Sequence, residues 1–390
     1  MEEKRMQKMT HQALTELAEA NITPAVTLYI PLEATASPPH ITENQIRFKN
    51  LIHKAVAGLK ARGDESTLSK ELCDTLDALH GDLDFWKESA RGMLVCAAPG
   101  MVEMYALPVD TEEYVAVGDT FHLAPIVALM GDAKEFYLLA LAQQKPKIYK
   151  GDMYGLTEMN IGLPETLRVG LGIDEPNQKS ENQGSARGSS MNTGWFNGRG
   201  GARDPMDNDR MKYFHLIDSL LHDKLDRTLP IIIAGIDAEV AEFRDISKYP
   251  TILKGCITGN HTETNPQELF SQAHAIIMEE LVQPDHAAVR EEYERVSGAN
   301  PDRVAGDQAS IIEATEQGRV DKLLATMGRQ TTDTVQDKVT SVFRISFPEG
   351  ETGALLNKLA MKVWQMSGRV VSLLPEEMPG GSTMVARLRY

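Results

Sequence analysis

The chain has 390 residues, 42% hydrophobic and 25% charged, with 40 basic against 56 acidic side chains and a net charge of −16. This composition suits a globular protein with two to three cores. It excludes a protein that coats nucleic acid through bulk charge, but not one that docks on RNA through a few local contacts. No apolar run approaches the roughly 20 residues that span a bilayer, and the opening MEEKRMQKMTHQ holds no apolar signal core. Cys73, Cys96 and Cys256 form no CxxC pair. The expectation is a cytoplasmic protein with no membrane segment, disulfide framework or zinc knuckle.

In chain order, residues 10–21 read as a short helix and Val26–Ile30 as a strand ended by Pro31. Residues 43–62 read as a helix with an apolar stripe of Ile46, Leu51, Ile52, Ala55, Val56 and Leu59. Its other face carries Arg47, Lys49, Lys54, Lys60 and Arg62, read as a solvated surface with an RNA-facing role as the alternative. A helix over 66–80 follows, then strands at 93–97, 102–107 and 114–117. These make an α+β domain over residues 1–125.

The second domain is set at residues 126–262. Phe136–Ala142 is a buried strand, and strands at 147–149 and 153–159 join at Gly151-Asp152. The segment 176–206 has no helical or strand period, and from Ser180 to Gly201 it holds six glycines. Loops of this length inside a compact chain are functional or disordered. From Lys179 to Arg203, four cations stand against Glu181 alone, a local charge of +3 on an acidic chain. A helix from Asp207 to Leu225 follows, with Asp207 as cap and Met211, Phe214, Ile217, Leu221 and Leu225 as its buried face. Then come a strand at 230–236, a helix capped by Asp237 and a strand at 251–257.

The third domain, 263–390, opens at Asn265-Pro266, a strong helix start. Helices are expected at 266–282, 285–297, 306–317 and 353–367, and strands at 320–325, 370–374 and 384–388. The whole is an α/β (α+β) chain of three domains.

No HExxH, Walker loop, GxSxG or dinucleotide fingerprint is present. His215 and His222 share a helix face, but a ligand pair needs a spacing of three or four and a third ligand. The strand Phe136–Ala142 carries no carboxylate for a two-metal nuclease. No catalytic set, metal or cofactor is therefore assigned.

The segment Gly198-Arg199-Gly200-Gly201-Ala202, followed by Arg203 and a charged helix, resembles the Gly-Arg-Gly-Gly-Gln loop of archaeal and eukaryotic class-I release factors. Phe214 after the loop, the strand Ile231–Gly235 and the helix carrying Phe243 also resemble that family's middle domain. Ala314–Leu324 resembles its C-terminal helix–glycine–strand junction. Short matches at Leu28–Pro31 and Arg387–Tyr390 extend the likeness to the whole chain. Overall it most resembles the bacterial archaeo-eukaryotic release factor-like proteins. The resemblance implies an RNase H-like middle domain carrying the loop, and a C-terminal domain similar to kink-turn-binding ribosomal proteins.

Two departures stand out. Ala202 occupies the position of the glutamine that places a water or shapes the site at the peptidyl-tRNA ester, and losing one aligned polar group there lowers the rate by about 10²–10³. Residues 1–125 hold no Asn-Ile-Lys-Ser stop-codon loop. Pelota-type rescue proteins and related hibernation factors lack one or both features and still occupy the ribosomal A site. The resemblance thus implies a ribosome-associated factor for rescue, stress or hibernation. The expected contacts implied by the resemblance are rRNA, with P-site tRNA and a delivery GTPase as further partners, through Trp195, Phe196, Gly198, Arg199, Gly200, Gly201, Ala202 and Arg203. The alternatives are a codon-independent peptidyl-tRNA hydrolase using backbone donors of the same loop, a nuclease, and a protein-interaction module without ribosome contact.

Overall fold

The computed structural model describes residues 5–20, 22–33, 37–64, 67–80, 82–87, 90–172, 205–261, 264–335, 338–345, 347 and 351–390. They form a mixed α+β chain with several sheets, divided into one compact unit of residues 1–134 and 281–390 and another of 135–280. None of the described helices is long and apolar enough to cross a membrane.

The first part of unit 1 runs β1 (Gln7–Lys8), α1 (His11–Glu19), β2 (Ala25–Pro31), α2 (Pro38–Ala61), α3 (Thr67–His80), α4 (Leu83–Trp86), β3 (Gly92–Ala98), β4 (Met101–Leu107), β5 (Asp110–Thr111), β6 (Tyr114–Gly118) and α5 (Ala124–Asp132). Its sheet has the order β1-β4-β3-β2-β6. Val26, Leu28 and Ile30 on β2 pack with Phe48, Leu51, Ile52 and Trp86. The opposite face of β2 is buried as well, at Thr27 and Tyr29, which explains why every residue of β3 is buried.

Helix α2 is longer than its sequence pattern indicates, because Pro38 and Pro39 fit its first turn instead of interrupting it. Its stripe also shifts. Ile46 is 54% exposed, and Ile41, Asn44 and Phe48 are buried. The cationic face is largely neutralised: Arg47 pairs with Glu33 and Glu43, Lys54 with Glu113, and Arg62 with Asp64 and Asp119. That is the pattern of a solvated surface. Pro125, read as the end of the first segment, lies instead in the first turn of α5.

Unit 2 holds β7 (Phe136–Ala140), β8 (Lys147–Asp152), β9 (Gly155–Met159), α6 (Leu167–Gly170), α7 (Pro205–Lys224), β10 (Ile231–Gly235), α8 (Asp237–Ile246), β11 (Ile252–Thr258) and α9 (Pro266–Ile277). The sheet order is β11-β10-β7-β8-β9. β7, β10 and β11 are parallel, and β8 is antiparallel to both β7 and β9. The β8–β9 turn falls at Met153-Tyr154, two residues later than the sequence indicates. The Asp152 carboxylate folds over the turn and accepts from Tyr154 N (2.7 Å) and Gly155 N (3.0 Å). Asp237 does not cap α8. It is the first helical residue, and its Oδ1 accepts from Thr258 Oγ1 at 2.8 Å. Asn265 does cap α9, accepting from Gln267 N at 2.9 Å. Glu280, just after α9, accepts from Lys254 N and Gly255 N of β11, so this helix belongs with the middle sheet.

The chain continues through a π-helical turn, Met278–Val282, into α10 (Gln283–Ala299), where two separate helices had been expected. Then come β12 (Val304–Ala305), α11 (Gln308–Glu316), β13 (Val320–Ala325), β14 (Gly328–Val335), β15 (Lys338–Ile345), α12 (Glu351–Gln365), β16 (Arg369–Ser372) and β17 (Met384–Leu388). The sheet order is β12-β17-β13-β16, and the β14–β15 hairpin adds its second strand to β5. Leu324, Val371 and Val385 meet Val289 and Tyr293 of α10 in the core. Asn357 of α12 accepts from Leu123 N and Ala124 N and so caps α5 within the same unit.

Candidate functional site

The candidate residues Trp195, Phe196, Gly198, Arg199, Gly200, Gly201, Ala202 and Arg203 lie outside the described residues, as does the rest of 173–204. Their attachments to unit 2 are described. On one side the described residues run from α6 to Gly172, and on the other they begin at Pro205, the first residue of α7.

The outgoing stem is short and well tied. Thr166 caps α6, its hydroxyl accepting from Val169 N at 3.2 Å. The backbone of 165–167 pairs with that of 143–145, through Lys145 N to Glu165 O at 2.6 Å and Leu167 N to Gln143 O at 2.9 Å. Gly170 lies so close to Pro164 and Tyr213 that a Cβ there would come within 3.0 Å of the proline ring and 3.1 Å of the tyrosine. Tyr213 Oη donates to Pro164 O at 3.3 Å, which ties α7 to the outgoing stem.

The incoming stem, α7, is held by its apolar face and by two further polar anchors. Tyr213, Phe214, Ile217 and Leu221 are fully buried against the sheet, and Phe214 meets Phe243 of α8 edge to face at 5.8 Å. Arg210 makes a two-pronged pair with Glu242, at 2.7 Å through both Nε and Nη2. Asp218 sits on the apolar stripe with 6% exposure. It accepts from Ser247 Oγ at 2.5 Å and from Lys248 N at 3.2 Å, closing the end of α8. Sequence reasoning missed Asp218. Its signal was a carboxylate at a position where the helical period expects an apolar residue.

The carboxyl ends of the parallel strands β7 and β10 form the point where strand order reverses, a place where α/β sheets open a crevice. Here Gln143 Nε2 and Glu239 Oε1 fill that place with a 2.6 Å hydrogen bond. At the base of the loop, Lys145 and Arg168 are exposed, and neither makes an ion pair among the described residues. Val169 beside them is 65% exposed. The exposed Glu165 lies beside Lys145, so the two cations leave this surface with a small positive excess. His215 is exposed on α7, and His222 Nε2 lies 2.8 Å from Arg227. Among the described residues, no group of three His, Cys, Asp or Glu side chains is placed to hold a metal ion.

Three comparisons bear on this unit. A family model described as bacterial archaeo-eukaryotic release factor family 6 matches residues 134–279. Those bounds agree within a residue with the compact unit 135–280. A search of curated proteins finds no match. Among solved structures the chain is similar to Pelota from Archaeoglobus fulgidus, at 13% identity over 76% of this chain and 79% of that one, with a TM-score of 0.34. It is similar to an archaeal Pelota described as ribosome-bound with ABCE1, at 14% identity over 100% and 98%, with a TM-score of 0.39. It is also similar to the archaeal translation termination factor aRF1, at 13% identity over 97% and 96%, with a TM-score of 0.23. The matched part of the chain, residues 134–279, is thus similar to a bacterial archaeo-eukaryotic release factor-like family.

Proposed function

We propose that this protein is a ribosome-associated translation factor that presents the Trp195–Arg203 loop to ribosomal RNA near the peptidyl-transferase centre, in rescue, stress or hibernation. The observation that carries the reading is the family match over 134–279, the segment that contains the Gly198-Arg199-Gly200-Gly201-Ala202 run. The exposed Lys145 and Arg168 at the loop base support it, since they extend the cationic surface beyond the loop on an otherwise acidic chain. In this reading Arg199 and Arg203 contact phosphates. Gly200 and Gly201 admit close backbone approach, and Trp195 or Phe196 stacks on a base. Ala202 in place of glutamine favours binding over ester hydrolysis.

The proposal includes three domains, the middle one RNase H-like and the C-terminal one similar to kink-turn-binding ribosomal proteins. The three parallel strands followed outward by the antiparallel β8 and β9 support the RNase H-like part. It also includes a cytoplasmic location and delivery by a GTPase.

Sedimentation of the tagged protein with ribosomes from growing and starved cells, at a series of salt concentrations, tests the reading. Salt-sensitive co-migration is expected. The Arg199→Ala/Arg203→Ala variant should bind more weakly, with a log–log salt slope reduced by about 1.5–2, for two lost phosphate contacts. Unchanged binding by the variant at every salt, or a protein that stays at the top of every gradient, overturns it.

A further inference from the structure

Unit 1 contains a cavity of about 470 Å³ that the proposed function does not use. This volume lies within the range of small-molecule sites, about 300–1,000 Å³. Leu17 of α1, Phe121 and Leu123 before α5, Ile312 of α11, and Leu355 and Leu359 of α12 supply apolar walls. The exposed lining residues, which mark the mouth, include Lys358, Lys362 and Glu316.

Besides Thr120 and the buried hydroxyl of Thr315, which has no hydrogen-bond partner among the described residues, the polar groups at this cavity divide into two sets. Asn357 is fully engaged with the backbone of residues 121–124, and Gln365 donates to Ala18 O at 3.1 Å. They build the wall. Lys358 and Lys362 stand one turn apart on α12, and neither makes an ion pair among the described residues. Like charges at this spacing repel and disfavour the helix. Lys362 suits the negative end of α12, but Lys358 lies a turn earlier, where the helix dipole gives little return. Two cations at the rim of an apolar cavity fit an anionic head on an apolar body. Glu316 at the same mouth would repel a second negative charge. Among the described residues Phe121 is the single aromatic side chain in the lining, and one ring does not sandwich a nucleobase.

We infer that this cavity binds a small amphipathic monoanion, with an acyl-type body among Leu17, Phe121, Ile312 and Leu359 and one carboxylate between Lys358 and Lys362. This site is separate from the loop reading and stands or falls without it.

Titration calorimetry on the full chain tests the inference, with decanoate below its micelle-forming concentration, decanol and acetate as probes. Decanoate should bind saturably at one site. Decanol, which has the same body without the charge, should bind about tenfold or more weakly, and acetate should not bind measurably. Lys358→Gln/Lys362→Gln changes only exposed side chains and should lower decanoate affinity about tenfold while leaving the thermal melt unchanged. Leu355→Trp, confirmed as folded by circular dichroism, should fill the cavity and abolish binding. Absence of saturable decanoate binding to the native chain, or equal affinity in the lysine variant, overturns the inference.

Discussion

Asn357 on α12 caps α5 at Ala124. Its Oδ1 accepts from Leu123 N at 2.8 Å and from Ala124 N at 3.0 Å, and its Nδ2 donates to Phe121 O at 2.9 Å. The first N–H groups of a helix have no partner within the helix, and Leu123 has no side chain that can serve. The amide of a residue more than two hundred positions away supplies the cap. Asn357→Ala strips three buried groups of their partner and should lower the unfolding free energy by about 2–3 kcal/mol. Urea denaturation of the two proteins checks this, and a loss below about 0.5 kcal/mol would mean that water replaces the amide.

His122 gives a pH prediction. Its ring is buried beside the stacked rings of Tyr114 and Phe347, and burial pushes its pKa down to about 4 from the ordinary 6.5. The unfolded chain therefore takes up a proton as the pH falls below 6.5, while the folded chain takes it up only near 4. Stability should decline across that window, by about 3 kcal/mol in full. His122→Phe keeps the ring and removes the proton. Its stability should vary less between pH 6.5 and 4, by about one proton's worth of slope. Parallel slopes in the two proteins would place the titration elsewhere.

Asp218 links α7, the incoming stem of the candidate loop, to the chain just after α8. Asp218→Ala leaves Ser247 Oγ and Lys248 N without their acceptor and should destabilise the protein by about 2 kcal/mol. The Arg210–Glu242 pair is more exposed, at 22% and 36%, so Arg210→Met should lower stability by less than about 1 kcal/mol. Thermal melts of the two variants should preserve that ranking.

Phe136 lies directly across the β7–β8 ladder from Gly151, and its buried ring covers the glycine Cα. A Cβ at position 151 would fall inside the van der Waals envelope of three ring atoms. Gly151→Ala should lower stability by about 1–3 kcal/mol. In the Phe136→Leu background the same change should be milder, and a double-mutant cycle measures the coupling. Strict additivity would show that the ring moves aside freely.

The local elements were largely readable from the residues. Asn265-Pro266 predicts the α9 start because cap and first turn lie within three positions of each other. Phe214, Ile217 and Leu221 predict the buried face of α7 through the helical period. The hairpin β14–β15 escaped notice because β14 is polar up to its last residue, Val335, and so leaves no apolar period to read. The stripe on α2 was partly misread because Ile46 lies off its buried side, while Asn44 lies on it and bonds to Glu33.

By itself, the sequence determined the α+β class, the closely spaced caps and turns, and the position of the Gly-Arg-Gly-Gly-Ala run within the middle segment. Those features depend on residues within a few positions of each other, so short-range sterics and hydrogen bonding specify them. The tertiary structure alone decided that Asn357 caps α5, that Gln143 and Glu239 close the crevice between β7 and β10, and that Lys358 and Lys362 border a cavity. Each joins groups brought together only when distant apolar faces pack, and no local pattern records which polar group will then find which partner.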